Sequence, residues 1–547
     1  MKKPKSAPIF DNRDFPISIV RVSIMRGTGV DIEEMKEKPM IGVVNSQTDI
    51  NPGHMHLKQL GERVKEGVHA GGGIPFEFHV PAPCDGITEG HEAMRYVLAQ
   101  RDLIADTVET HVRSMCYDGL VMIASCDKII PGMLMAAARL DLPTIFLTGG
   151  PNSWRIRYLA GRRESVDHKD YDELPQKMAT ATCSTCGACE IMGTANTFQC
   201  LAEALGMTIP GSANVPGFLS EKLTFARDSG KRIVQMIEEE LTATKIMNKN
   251  AVENALMADL AIGGSTNTAL HLPALAHELG FELGLHDFNR TGKKIPTLCA
   301  ISPNGPYGVV DLFSAGGVPA VMKRLEQDIH LDSITATGQT WEEVLEPVEV
   351  MDEKIITSKE KPFQPEGATV ALFGNLAPEG AVVKQSAVVP EMRTFTAPAK
   401  VYESEADLLE AFRLGNVKEG QVIVIRNEGP KGAPGMPETL AVTMALDMSG
   451  LKNVAMITDG RFSGASYGPC VGHVSPEAQA GGPIAAVRDG DEITVDIENR
   501  KLSINLSDDK IKERIKSYDP PKREIPPGFM RRYVKLVSSA AKGAVLE

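Results

Sequence analysis

The sequence predicts an α/β protein with a large N-terminal domain, residues 1–350, whose mostly parallel sheet is flanked by helices, and a smaller β-rich α/β domain, residues 363–547. Three observations predict this. Through the first two thirds, short apolar runs ending in Gly, Asn, Ser or Cys alternate with helix-period stretches, as βαβ units do. Around residues 350–363 the pattern changes to a charged, Pro-containing stretch, Asp352-Glu353-Lys354 through Lys361-Pro362, which reads as a linker. Beyond it strand signals dominate, and 547 residues at roughly 150 per domain suit two large domains or three smaller ones.

The clearest unit begins with Ile104, Val108, Val112 and Met115, whose spacing lays one apolar stripe along a helix. Tyr117-Asp118-Gly119 ends that helix, residues 120–124 read as a buried strand and residues 136–140 as a helix, and residues 144–147 make the next strand before Gly149-Gly150-Pro151. Cys126-Asp127-Lys128 therefore follows a strand's carboxyl end, where ligands collect in open α/β sheets. In the second domain, strands are expected at residues 368–373, 422–425 and 454–457, and at the alternating 493–497 after Asp489-Gly490-Asp491. No fixed-period repeat is evident, which argues against a solenoid.

Composition narrows the function classes. Fifty-eight Lys and Arg against 71 Asp and Glu leave a net charge of -13, which disfavours a nucleic-acid or anionic-membrane binder. No apolar run approaches the 18 or so residues of a bilayer crossing. Pro8, Asp11, Arg13 and Asp14 interrupt what would have to be an apolar signal core, so a cytoplasmic protein is expected. Nine cysteines spread over a long chain suit free thiols or metal ligands better than a disulfide scaffold.

Several short motifs carry chemistry. Cys183-Ser184-Thr185-Cys186-Gly187-Ala188-Cys189 can converge on zinc or an iron-sulfur centre, or hold reduced structural cysteines. Cys126-Asp127-Lys128 packs a soft thiolate, a hard carboxylate and an amine into three residues; alone it also reads as a solvated charge pair. Pro83-Cys84-Asp85-Gly86 repeats the thiol and carboxylate, with a simple Asp-Gly turn as the alternative. The Gly- and Pro-rich stretch from Glu428 to Glu438 can bring backbone amides to an anion and offer Glu438 to a hard metal, or be a surface turn. Thr458-Asp459-Gly460-Arg461-Phe462-Ser463 sets a serine among small residues, and no His-Asp pairing beside it supports a hydrolase triad. Gly263-Gly264-Ser265-Thr266-Asn267-Thr268 precedes an apolar helix without matching a Walker loop or a dinucleotide fingerprint. Asn51-Pro52-Gly53-His54-Met55-His56 reads as a turn whose histidines are polar surface or supporting groups.

Together these motifs resemble the dihydroxy-acid dehydratase and phosphogluconate dehydratase family, over nearly the whole chain from about Arg21 to Leu546. Matching stretches include residues 39–57, 84–109, 126–139, 186–206, 261–272, 374–384, 428–438 and 457–476. The ending, residues 535–546, looks closest to the dihydroxy-acid branch, whereas residues 189–195 lean towards the sugar-acid branch. The resemblance implies an iron-sulfur cluster on Cys126 and Cys189, and magnesium held by Asp85, Asp127, Glu438 and a carbamylated Lys128, with Ser463 as base. Relatives with a well-defined [2Fe-2S] cluster carry another cysteine in an early Pro-Cys-Asn loop, where this chain has Pro52-Gly53-His54. Cys84 is the leading third ligand, ahead of Cys186 and Cys183, and the missing cysteine tilts the expectation from [2Fe-2S] towards [4Fe-4S].

The implied activity is a hydro-lyase that turns a 2,3-dihydroxy acid into a 2-keto acid in branched-chain amino-acid biosynthesis, working as a homodimer without nucleic-acid or membrane partners. The chemistry suits the residues: removing a weakly acidic C2 proton and expelling hydroxide from C3 both need electrostatic help. A hard cation suits the carboxylate and C2 hydroxyl, and an iron with an open position can act on the C3 hydroxyl. Ser463 must act as an alkoxide with positive charge nearby. A sugar-acid dehydratase is the nearest alternative, and a non-catalytic iron-sulfur sensor, which needs neither Glu438 nor Ser463, is the remote one.

Overall fold

Residues 40–45 are apolar up to a terminal asparagine, and they form a wholly buried strand, β1 (Met40–Asn45). The computed structural model describes residues 4–10, 15–153, 183–463 and 468–547. β1 lies between β2 (Ile74–His79) and β3 (Gly119–Ala124), and β4 (Thr144–Thr148) completes a four-stranded sheet in the order β2-β1-β3-β4 with every pairing parallel. β1, β3 and β4 are buried throughout, as strands covered on both faces must be. Helix Arg95–Met115 carries Ile104, Val108 and Val112 of the expected stripe inward, while Met115 at its last turn is exposed, and helix Ile129–Leu140 packs beside it.

The expected alternation of strand and helix stops at β4. Among the described residues between Thr148 and Thr369 the regular elements are helices, joined by isolated β-bridges. The reason lies in composition: a stretch such as Lys249–Ile262 is richer in Ala and Leu than in β-branched residues, and most of its side chains are buried, so it forms a buried helix. The charged stretch after Val350 is also less loose than a linker. Ile355 and Ile356 are buried, and Ile356 and Gln364 bridge back to Cys299 and Thr297.

The second sheet has eight strands in the order β12-β11-β7-β8-β9-β10-β6-β5. These are β5 (Thr369–Leu372), β6 (Gly380–Lys384), β7 (Thr394–Tyr402), β8 (Gln421–Ile425), β9 (Val454–Thr458), β10 (Cys470–Ser475), β11 (Glu492–Asp496) and β12 (Lys501–Ile504). β7 to β10 run parallel, while the flanking pairs β5–β6, β6–β10, β7–β11 and β11–β12 are antiparallel. The C-terminal tail returns to the first half: Arg101, fully buried on helix Arg95–Met115, donates to the carbonyls of Gly543 and Ala544, both at 2.9 Å, and pairs with Asp102 at 3.1 Å. No described helix is long and apolar enough to cross a membrane.

Candidate active site

All four loops at the carboxyl ends of the first sheet converge, as the open-sheet rule demands. The loop after β1 carries Asn51, Gly53 and His54; the loop after β2 carries Cys84 and Asp85; the loop after β3 carries Cys126, Asp127 and Lys128; the loop after β4 carries Gly149 and Gly150. The second sheet contributes by the same rule, with Glu438 on the segment after β8 and Arg461 and Ser463 on the segment after β9, joined by a bridge between Glu438 and Arg461.

Asp85, Asp127 and Glu438 each offer one oxygen, and the three lie within 4.8 Å of one another. Lys128, fully buried, donates to Asp85 Oδ2 at 2.8 Å and lies 3.7 Å from Asp127 Oδ2. Arg461, also fully buried, donates to Glu438 Oε2 at 3.0 Å and to the Met436 carbonyl at 2.8 Å, and stands 3.6 Å from Asp85 Oδ2. Asn267 Nδ2 adds a second bond to Glu438 Oε2 at 3.0 Å. Burial works to raise Asp85, but the charges of Lys128 and Arg461 outweigh it and hold the carboxyl below its ordinary range. Asp127 goes the other way: burial, then the Asp85 charge, push it up to about 7. The remaining oxygen of Asp85, Oδ1, is buried without a hydrogen-bond partner among the described residues. A buried carboxylate oxygen left open among three converging carboxylates fits a hard divalent cation.

The thiols form a second, adjoining group. Cys126 takes a left-handed backbone, φ 59°, directly after β3, and its sulfur accepts from Asn51 Nδ2 at 3.3 Å. Cys84 and Cys126 interact so that the Cys84 thiol is lowered and the Cys126 thiol raised well above the ordinary value. Cys189 interacts in the same way with Cys183, and it also senses the charges of Asp127 and Cys84. Cys183 thereby falls to about 6. Cys186 is raised by burial, and no thiol among the described residues acts on it. The cysteine run docks here through Gly187: its φ is 118°, a Cβ there would sit 2.4 Å from the Pro151 carbonyl carbon, and its amide bonds to Pro52 O at 3.1 Å. A Cβ on Gly53 would lie 3.2 Å from Cys126 Sγ, so the position that holds a glycine instead of a cysteine faces the thiol group directly.

Of the residues singled out in the sequence, Asp85, Asp127, Lys128 and Glu438 come together, with Cys84 and Cys126 on the very loops that carry the two aspartates. Ser463 lies two residues from Arg461 and lines a narrow cavity with Thr266, Lys384, Cys470 and His473. His54 and His56 are not surface groups: His54 Nδ1 lies 2.6 Å from Ser46 O, His56 Nε2 lies 2.8 Å from Gly149 O, and burial lowers both to about 4. They brace the loops in neutral form, because a turn that packs under a sheet's edge has no water around it. Sequence reasoning missed Arg461 and Asn267 as partners of Glu438, although both sit in quoted motifs; nothing local says that segments so far apart in the chain meet. It also missed Glu89, whose Oε2 accepts from Leu440 N at 3.2 Å and whose carboxyl is pushed up to about 10 by burial, then by Glu438 and Asp85.

Comparisons with known proteins match nearly the whole chain. The family model described as dihydroxy-acid/6-phosphogluconate dehydratase N-terminal matches residues 38–344, and its C-terminal counterpart matches residues 354–544. The dihydroxy-acid dehydratase of Acetivibrio thermocellus is 46% identical over 544 residues, covering 96% of this chain and 97% of the relative. That of Methanosarcina barkeri is 47% identical over 539 residues, with 96% and 97% covered. That of Methanothermobacter thermautotrophicus is 50% identical over 521 residues, with 93% and 94% covered.

Proposed function

The chain belongs to the dihydroxy-acid/6-phosphogluconate dehydratase family and is a hydro-lyase, and on that premise we propose that it converts 2,3-dihydroxy-3-methylbutanoate to 3-methyl-2-oxobutanoate in branched-chain amino-acid biosynthesis. One observation carries the reading: two Cys-Asp doublets, Cys84-Asp85 and Cys126-Asp127, end neighbouring loops so that the thiols meet each other and the carboxylates meet Glu438. Soft and hard donors are thus sorted into adjoining sets, which suits one centre for iron and one for an oxygen-seeking cation.

Asp85, Asp127 and Glu438 would hold Mg2+, with Lys128 either neutralising them as an ammonium or, if carbamylated, joining them as an oxygen donor. Cys84, Cys126 and Cys189 would hold the iron-sulfur cluster, [4Fe-4S] or [2Fe-2S]. When bound, these groups supply Lewis acidity to the substrate's carboxylate and hydroxyl oxygens. The chain's own work is orientation and proton transfer. Arg461 and Asn267 fix Glu438, and Ser463 Oγ takes the C2 proton, after which loss of the C3 hydroxyl leaves an enol that becomes the 2-keto acid. In this reading residues 1–350 supply the thiols and two of the carboxylates, and residues 363–547 supply the base and the third. Self-association as a homodimer belongs to the same reading, supported by the apolar side chains of Phe15, Ile17, Val20 and Ile24 that stand exposed on one segment.

One observation favours a sugar acid as the second reading. Glu89 puts a further carboxyl beside the cation site, and a hydrogen-bonding wall suits extra hydroxyls better than methyl groups. Turnover of a panel of dihydroxy acids and sugar acids by anaerobically reconstituted protein separates the two. Ser463→Ala is expected to lose exchange of the C2 proton with solvent while keeping its iron and its substrate binding. Exchange at the parent rate would assign the base elsewhere, and full turnover by iron-free protein would remove the cluster from the reading.

A further inference from the structure

We propose that Lys384 holds the proton that Ser463 gives up, so that the two side chains work as one proton-accepting pair; this rests on Ser463 being the base. Ser463, Lys384 and His473 line one cavity of about 10 Å3, a size that suits roughly one water. The cavity adjoins the carboxylate site on two sides, through Ser463 next to the Arg461 segment and through Thr266 next to Asn267. Lys384 ends β6 with only 6% of its surface exposed, and its Nζ has no hydrogen-bond partner among the described residues. A buried ammonium without a partner is costly, so an unpaired lysine in such a place is poised to lose its proton.

Two groups here titrate near neutral pH, Lys384 and Asp259, whose carboxyl burial pushes up to about 7, and of the two it is Lys384 that lines the cavity with Ser463. Burial lowers Lys384 to about 8, although Asp259 on helix Lys249–Ile262 works to raise it. Asp259 Oδ1 is occupied by Thr268 Oγ1 at 2.7 Å, so that carboxylate acts on Lys384 across space. His473, on β10, is lowered to about 3 by burial and by Arg461 and stays neutral. Cys470, on the same strand, is pushed up to about 12 by burial and stays a thiol.

The proton balance is simple. The neutral amine of Lys384 takes the Ser463 hydroxyl proton, directly or through one water, leaving an alkoxide beside an ammonium. The alkoxide oxygen forms a bond to the C2 proton, the C2–H electron pair becomes the C2=C3 bond, and the C3–O bond breaks to release hydroxide. The ammonium returns its proton to that hydroxide through solvent, so one water leaves and both side chains end as they began. Lys384 acts only through Ser463 and is a positioning residue for it. The active pair has lost one proton, so turnover should rise with pH through about 8 and then level off.

The test uses the reconstituted holoenzyme with the dihydroxy acid it turns over best. In the parent, kcat should rise to a plateau with a midpoint near 8, and the midpoint should fall on warming, as amine ionisations do. Lys384→Met should lose that inflection and slow C2 proton exchange roughly 100-fold, with KM within about threefold of the parent. Lys384→Arg keeps a positive charge that cannot be given up, so it should be as slow as the methionine variant. A parent midpoint that ignores temperature, an unchanged profile in Lys384→Met, or parent-like rates in Lys384→Arg would each overturn the pairing. The parent profile needs no variant and decides the matter even if the substitutions fail to fold. If Ser463→Ala still exchanged the C2 proton, the base assignment would fall and the pairing with it, whereas loss of exchange in Ser463→Ala beside normal Lys384 variants would sink the pairing alone.

Discussion

Replacing Glu438 by glutamine should weaken divalent-cation binding about 100-fold while leaving the fold intact. Both of its donors, Arg461 Nη1 and Asn267 Nδ2, converge on Oε2 at 3.0 Å. The amide oxygen of glutamine can accept both bonds, so neither donor is orphaned and the melting temperature should stay within roughly 3 °C. The charge count changes instead. Asp85, Asp127 and Glu438 face Lys128 and Arg461, which leaves one net negative charge on the site, and the substitution removes it. Two unit charges about 4 Å apart at an effective dielectric near 20 interact by roughly 4 kcal/mol, and a divalent ion doubles this before its dehydration takes most of it back. A residue of about 2.7 kcal/mol corresponds to the 100-fold loss. Mn2+ binding followed by electron paramagnetic resonance on parent and variant reads the change directly. A dissociation constant within threefold of the parent, at equal thermal stability, would refute the assignment of Glu438 to the cation.

Three further outcomes are expected. Asp127, raised from its ordinary value to about 7, binds its proton more tightly folded than unfolded, so its contribution to the cation-free fold is full below the ordinary carboxylate value and is lost as pH rises through 7; Asp127→Asn should therefore gain more stability relative to the parent at pH 8 than at pH 5, as read by chemical denaturation. Cys84→Ser should lower iron content and visible cluster absorbance, whereas Cys116→Ser should change neither, because Cys116 is exposed at the far end of helix Arg95–Met115. Gly435→Ala should give little soluble protein, since Gly435 has φ 96° and a Cβ there would lie 1.8 Å from the Arg95 carbonyl oxygen; wild-type yield with an unchanged melting temperature would contradict that.

The parts of the site legible in the sequence are those whose neighbours are local. Cys126 could be set at a strand's carboxyl end because residues 120–124 are an unbroken apolar run, and the structure has β3 there. The stripe of Ile104, Val108 and Val112 announced its helix for the same reason. What stayed hidden depends on meetings across the chain: Asn267 with Glu438, and Arg461 with Asp85. Periodicity cannot separate a buried helix from a buried strand in short apolar runs, which is why the βαβ pattern looked longer than it is. For His54 and His56 the sequence left surface and supporting roles open, because a Pro-Gly turn carries no mark of what will pack over it, and the structure has them supporting the loops.

The buried Arg101 that grips Gly543 and Ala544 sets a timetable for biosynthesis. The helix bearing it lies shortly after the Cys84-Asp85 loop, so one brace on this part of the chain is added only when residues 543 and 544 have been made. Glu438 also comes late: at about 5–20 residues per second, roughly 300 residues separate it from Asp127, a wait of tens of seconds. Through that interval Cys84-Asp85 and Cys126-Asp127 are already translated while Glu438 is not. The three-carboxylate site is thereby completed only after β5 to β8 of the second sheet have been translated, long after its first two members.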